Sequence, residues 1–215
     1  MSAERPPLVV VGGGGHAKVV LSVLARLGTF AILGYLDPKD RGPILGHPWL
    51  GDDSSARQLS NDHGRLAVVL GIGKTDGRSD RLTFLERFSR IGAVFPVVIA
   101  PTAFVAEDVV VGEGTVVCDG AIVQAGTRIG RAAIVNTGAR VDHDCVLHDD
   151  VHIGPGAVLS GGVQVGDGSL VGVGACCRQN VKIGSNCTIG AGAAVTSDCK
   201  DGALYIGVPA RLASA

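Results

Sequence analysis

The chain has 215 residues, with 19 Lys and Arg against 20 Asp and Glu, a net charge of −1 and a pI near 6.6. That balance offers no basic surface for nucleic acid or an anionic membrane. Aliphatic residues raise the mean hydropathy to +0.35, but they never run long enough to span a bilayer.

The N-terminus, Met1–Pro7, carries two prolines, and the only apolar stretch that follows is Leu8–Val11. No signal peptide is expected, which points to a cytoplasmic protein. The six cysteines form no C-x-x-C pair and read as core filler in a reducing compartment.

Leu8–Val11 is predicted as a strand running into Gly12-Gly13-Gly14-Gly15-His16. Val20, Val23, Leu24 and Leu27 then mark one face of a helix that Gly28 stops. Ala31–Leu36 is the next strand and ends in Asp37-Pro38. Leu66–Leu70 is a third, followed by Gly71-Ile72-Gly73, and 78–90 reads as a second helix. Alternating β and α elements imply a small parallel sheet. Gly12, Gly14 and Ala17 satisfy G-x-G-x-x-A, with Asp37 about where a ribose-binding acid would stand. Fewer than a hundred residues cannot supply the two halves a dinucleotide needs. One half can hold a single nucleotide, with phosphates at the glycine turn and helix N-terminus. Asp37 as a plain turn residue before Pro38 is the alternative.

From Ile99 the chain keeps a six-residue register through Lys200. The first position of each hexad, Ile99 through Val195, is aliphatic in sixteen of seventeen, with Cys177 the exception. The fourth position is Gly, Asn or Asp in fifteen of seventeen, Thr102 and Ala132 excepted, and the fifth is always small. So short and strict a period marks a solenoid rather than a sandwich, whose turns are irregularly spaced. Gly, Asn and Asp are the residues that tolerate positive φ, so each fourth position is expected to be a left-handed corner. Three hexads close one triangular coil, which stacks residues eighteen apart at roughly 4.8 Å. The predicted organisation is therefore an α/β Rossmann-like half domain over 1–98, a left-handed parallel β-helix over 99–200, and a tail over 201–215.

Within the solenoid, His143 and Asp144 occupy the third and fourth hexad positions, at a corner. An imidazole beside a carboxylate suits a general base near neutral pH. A solvated polar corner is the alternative. Gly161 lies eighteen residues on, one coil from His143, where a glycine leaves its amide approachable as an oxyanion donor. His152 is on a flat side, roughly 15–20 Å from His143 along the path. If both serve one site, they meet across a subunit boundary. His143 and His148 also reproduce the H-x4-H spacing of gamma-type carbonic anhydrases, but Glu107 stands where their third zinc histidine would be, so no metal is expected.

V-V-V-G-G-G-G-H-A-K at 9–18, G-Y-L-D-P at 34–38, N-T-G-A-R-V-D-H-D-C at 136–145 and G-V-P-A-R at 207–211 together resemble the bacterial sugar O-/N-acyltransferases of the NeuD/PglD type. The resemblance covers essentially the whole chain. It implies a trimer that transfers acetyl from acetyl-CoA to a sugar, usually a nucleotide sugar. By matched motif it assigns His143 as base, Asp144 as its orienting partner and Asn136 as a side chain shaping the site. His152 and Gly161 match contacts to the thioester end of the coenzyme, and Gly13, Gly14, His16 and Asp37 match nucleotide-sugar contacts. The likeness is greatest to the perosamine N-acetyltransferase branch, whose substrate is a GDP-linked 4-amino sugar of the kind used in O-antigen lipopolysaccharide. One departure stands out. The family's G-x-N-x-x-R run is Gly73-Lys74-Thr75-Asp76-Gly77-Arg78 here, which leaves Arg78 and Arg81 as alternatives for a phosphate contact. The expected chemistry is direct acetyl transfer to a 4-amino group with His143 as base. Sialic-acid-type O-acetylation, a zinc lyase and a non-catalytic β-helix subunit are the competing readings.

Overall fold

A computed structural model describes residues 5–76 and 81–213. Its first part is a three-stranded parallel sheet in the order β2-β1-β3, from β1 (Pro7–Val11), β2 (Ala31–Leu36) and β3 (Ala67–Leu70). Helix α1 (Gly15–Leu27) buries Ala17, Val20, Leu21, Val23 and Leu24 against it and ends at Gly28 with φ 63°. Between the second and third strands lies α2 (Ser55–His63), which the sequence pattern missed because Ala56 is its one buried residue. Helix α3 (Arg81–Ser89) completes this part. The N-terminal end predicted for that helix, 78–80, lies outside the described residues.

The remainder is a left-handed parallel β-helix of seventeen two-residue strands, from β4 (Val98–Ile99) to β20 (Ala194–Val195). They stack into three flat faces, here termed first, second and third in chain order from β4. Pairing runs in steps of eighteen, as along Val105, Val123, Val141, Leu159, Cys177 and Val195 on the second face. First-position aliphatics and small fifth-position residues fill one continuous core. Hydroxyls are admitted to that core because each is doubly satisfied. Thr115 Oγ1 donates to the Gly130 carbonyl at 2.8 Å and accepts the Ala133 amide at 3.0 Å, and Ser169 repeats the arrangement.

Fourth positions from Gly114 to Gly192 all have positive φ, between 52° and 73°. The three outside this set, Thr102, Asp108 and Asp198, lie at the ends of the repeat, where the coil is beginning or closing. Ala132 is left-handed at φ 52° although it carries a Cβ. Its amide donates to Glu113 and its carbonyl accepts Arg81 Nε at 3.2 Å, which holds the strained corner from both sides. Gly174 has φ 63° with nothing within 4 Å of a built Cβ. Gly174→Ala should therefore cost backbone strain alone, about 1–2 kcal/mol, read as a lower urea midpoint; an unchanged midpoint would mean the corner is misplaced.

The first face carries the N-terminal part. Val98, Ala100, Val116 and Cys118 share one apolar cluster with α1 and β1. Arg26 clasps Asp119 through two bonds of 2.7 and 2.6 Å. Beyond the last hexad, β21 (Leu204–Ile206) extends the first face beside β19 (Thr188–Ile189), and β22 (Arg211–Leu212) folds back antiparallel to it. No helix among the described residues is long and apolar enough to cross a membrane.

Candidate functional site

The glycine turn after β1 forms one wall of a cavity of about 490 Å³. Gly12, at φ 105°, approaches Gly71 so closely that a Cβ would lie 3.1 Å from its carbonyl carbon. Gly14 caps α1 with no side chain over it, leaving the helix N-terminus open. Gly71 in turn abuts Ala17, where a larger helix residue would not fit. The G-x-G-x-x-A spacing thus reflects two close approaches, at Gly12 and Ala17, and open space at Gly14, and it leaves amides exposed to the cavity.

Asp37 braces this turn. Its carboxylate accepts the Gly13 amide at 2.8 Å, the Lys39 amide at 2.9 Å and Arg41 Nε at 3.4 Å. Burial opposes its ionisation, but the two amides and Arg41 outweigh that and hold its pKa below the usual range.

The opposite wall comes from the β-helix. Asn136, at the corner between the first and second faces, and His152, in β13 (His152–Ile153) on the first face, both line the cavity. His16 lies between the two walls. Its Nε2 is buried and has no hydrogen-bond partner among the described residues. Burial, then the charge of Arg81, then His152, lowers its pKa to about 3. Burial and Arg81 likewise bring His152 to about 4, so both rings are neutral at physiological pH.

The structure therefore gathers Gly13, Gly14, His16, Asp37, Asn136 and His152 around one cavity. It places His143, Asp144 and Gly161 elsewhere. His143 stands on the corner between the second and third faces, across the prism from the first face. Its Nδ1 lies 2.8 Å from Asp144 Oδ2, and its ring rests on Gly161, where a Cβ would be 2.5 Å from Cε1 and Nε2. The bond to Asp144, then the charge of Asp142, raises its pKa above the ordinary imidazole value. Asp144 can be oriented this way because its backbone is left-handed, φ 58°. Cys145, next in sequence, points inward; its thiol lies 3.4 Å from the Ser160 carbonyl, and burial pushes its pKa up to about 11. Cys145 thus offers His143 no nucleophilic thiol.

Sequence reasoning missed a buried charge cluster behind His152. Arg81, one of the two basic residues weighed for phosphate, turns away from the cavity. It is 1 % exposed and pairs with Asp150 at 3.3 Å. Arg78 lies outside the described residues. Lys74 is equally buried, beside Asp150 at 3.7 Å. The signal available was Asp150 itself, a charged residue at a corner that needs a partner if covered. Arg41, which also lines the cavity, is a side chain the sequence did not single out. Among the described residues no three His, Cys, Asp or Glu side chains converge in a way that could hold a metal ion.

Residues 7–83 match the family model of the PglD N-terminal domain, and 126–161 and 144–179 match that of the bacterial transferase hexapeptide, six repeats. No curated protein sequence matches significantly. Among solved structures, a histidine variant of perosamine N-acetyltransferase from Caulobacter crescentus, in complex with CoA and GDP-perosamine, is 38% identical. It superposes with a TM-score of 0.90 over 97% of each chain. The acetyltransferase domain of PglB from Neisseria gonorrhoeae, in complex with acetyl coenzyme A, is 40% identical over 97% of this chain and 100% of that one, with a TM-score of 0.90. WeeI from Acinetobacter baumannii, at 24% identity and a TM-score of 0.87, shares the fold.

Proposed function

The chain belongs to the PglD-type, hexapeptide-repeat sugar acyltransferases, and from that premise we propose that it acetylates the 4-amino group of a nucleotide-linked deoxysugar, GDP-perosamine being the favoured substrate. It is an acyltransferase that uses acetyl-CoA. The observation that carries the finer reading is His143, held by Asp144 and seated on Gly161 at an open corner. Because Nδ1 faces Asp144, the Nε2 lone pair is the one that takes a proton. The amine attacks the thioester carbonyl, Nε2 accepts the proton it sheds, the Gly161 amide donates to the oxyanion, and the proton passes to the departing sulfur. Inward Cys145 supports transfer without an acyl-enzyme.

The nucleotide end belongs to the cavity, with phosphates at the Gly13–Gly14 amides and α1 N-terminus and Arg41 beside them. Gly13→Val would put a Cβ 2.8 Å from Tyr35 Cε2 and disturb Asp37. Gly13→Val and Asp37→Ala should each raise the KM for the nucleotide sugar about tenfold, a loss of about 1.4 kcal/mol, and leave that for acetyl-CoA nearly unchanged. An equal rise in both would assign the turn to the coenzyme.

His143 and the cavity lie on opposite sides of one prism, so one active centre needs two copies, and a homotrimer with coenzyme A between neighbouring helices supplies them. The second face supports this. Phe104, Ile122, Val158 and Cys176 stand in register along it, interrupted by Arg140, with Phe104 54% exposed. A fully active monomer would overturn the assembly. The substrate is tested by turnover of GDP-, UDP-, CMP- and dTDP-linked 4-amino sugars with acetyl-CoA, where the GDP sugar should be fastest. Acetylation of hydroxyls alone would favour the sialic-acid type, and no turnover at all would favour a non-catalytic subunit.

A further inference from the structure

The side chains behind the cavity fix one another's hydrogen positions. The Thr137 amide, which can only donate, reaches Asn136 Oδ1 at 2.8 Å. That turns the Asn136 Nδ2 group toward His152 Nε2, 3.0 Å away. On the far side of the ring, His152 Nδ1 lies 3.2 Å from the Lys74 carbonyl, which can only accept. One arrangement satisfies all three contacts. His152 carries its hydrogen on Nδ1, its Nε2 lone pair is filled by Asn136, and the second amide hydrogen of Asn136 is the one left for a ligand.

Lys74 is held by more than its backbone. Its ammonium donates to the Asp150 carbonyl at 3.0 Å and to the Gly168 carbonyl, both on the β-helix. Arg81 ties the same loop down through the Ile72 carbonyl. Two buried cations share one carboxylate there, Asp150. Asp76 adds a second negative charge that acts on Lys74.

We propose that Lys74 is a positioning residue: pinned to the β-helix, it fixes His152 as the Nδ1–H tautomer, so that Asn136, not His152, presents a free N–H to an oxygen of the bound substrate or thioester. The assignment rests on the acyl-transfer reading and changes one part of it. His152, expected to meet the thioester end itself, orients Asn136 instead.

Nitrogen-15 NMR of the histidine rings in the ligand-free full chain tests this. His152 should show a single Nδ1–H tautomer from pH 6 to 8 in wild type. Lys74→Met should give mixed tautomers and lower kcat at least about tenfold. A merely structural role predicts a lower melting temperature with the tautomer and kcat intact. Lys74→Gln keeps a donor for the two carbonyls and should retain more activity and a purer tautomer; it also serves if the Met variant does not fold. An Nε2–H tautomer in wild type would overturn the proposal and leave acetyl transfer standing, as would an unchanged tautomer and kcat in both variants. The expected tautomer in a protein that turns over no amino sugar would sink the functional reading instead.

Discussion

His143→Asn is expected to lower kcat by roughly 10²–10⁴, the usual worth of a positioned general base, with little change in either KM. Asparagine keeps the polarity of the corner and removes the imidazole that accepts the proton. His143 is well exposed, so the loss should leave the melting temperature alone. The pH profile supplies the second test. In wild type, kcat/KM should fall on acidification as Nε2 becomes protonated. Asp144 and Asp142 raise the pKa, so that limb should lie above the ordinary imidazole value of about 6.5. Asp144→Asn removes a negative charge and weakens the bond to Nδ1, and should move the limb to lower pH. His143→Asn should abolish the limb. Near-normal kcat with the limb retained would make His143 a solvated corner and send the search for the base elsewhere.

How much of this was legible depended on how far apart the interacting residues lie. The solenoid could be read because each hexad position answers to a local constraint: a positive φ, an inward aliphatic, a small filler. The same locality made His143, Asp144 and Gly161 readable, since one coil is eighteen residues and the register is fixed. Ala132 was visible as an exception, but not the Arg81 contact to its carbonyl, which crosses 51 residues. His152 read as a flat-side residue with no stated surroundings. Its burial comes from the loop after β3, and its partner Lys74 is 78 residues away. Nor could periodicity reveal that the glycine turn and Asn136 share a cavity while His143 does not, because that depends on which face the first part docks against. Asp37 shows the same limit. Its place after β2 suggested either a nucleotide contact or a turn, and only the structure shows its carboxylate holding the Gly13 amide.

Gly161→Ala is expected to separate geometry from chemistry at the same corner. The backbone of Gly161 is not left-handed, so alanine meets no conformational penalty there, in contrast to Gly162, at φ 71°. The obstacle is the ring. A Cβ would sit 2.5 Å from both Cε1 and Nε2 of His143, and the exposed imidazole can swing outward to relieve it. Stability should change little, while the proton acceptor moves by about an ångström or more, a displacement that can cost 10²-fold in rate. His143 would still titrate, so the acidic limb of the pH profile should persist beneath a much lower plateau. The double variant Gly161→Ala with His143→Asn should then be little worse than His143→Asn alone, because the methyl acts by misplacing a group already gone. If the two losses instead multiply, Gly161 contributes independently of the ring, as an amide donor to the oxyanion whose approach the methyl obstructs.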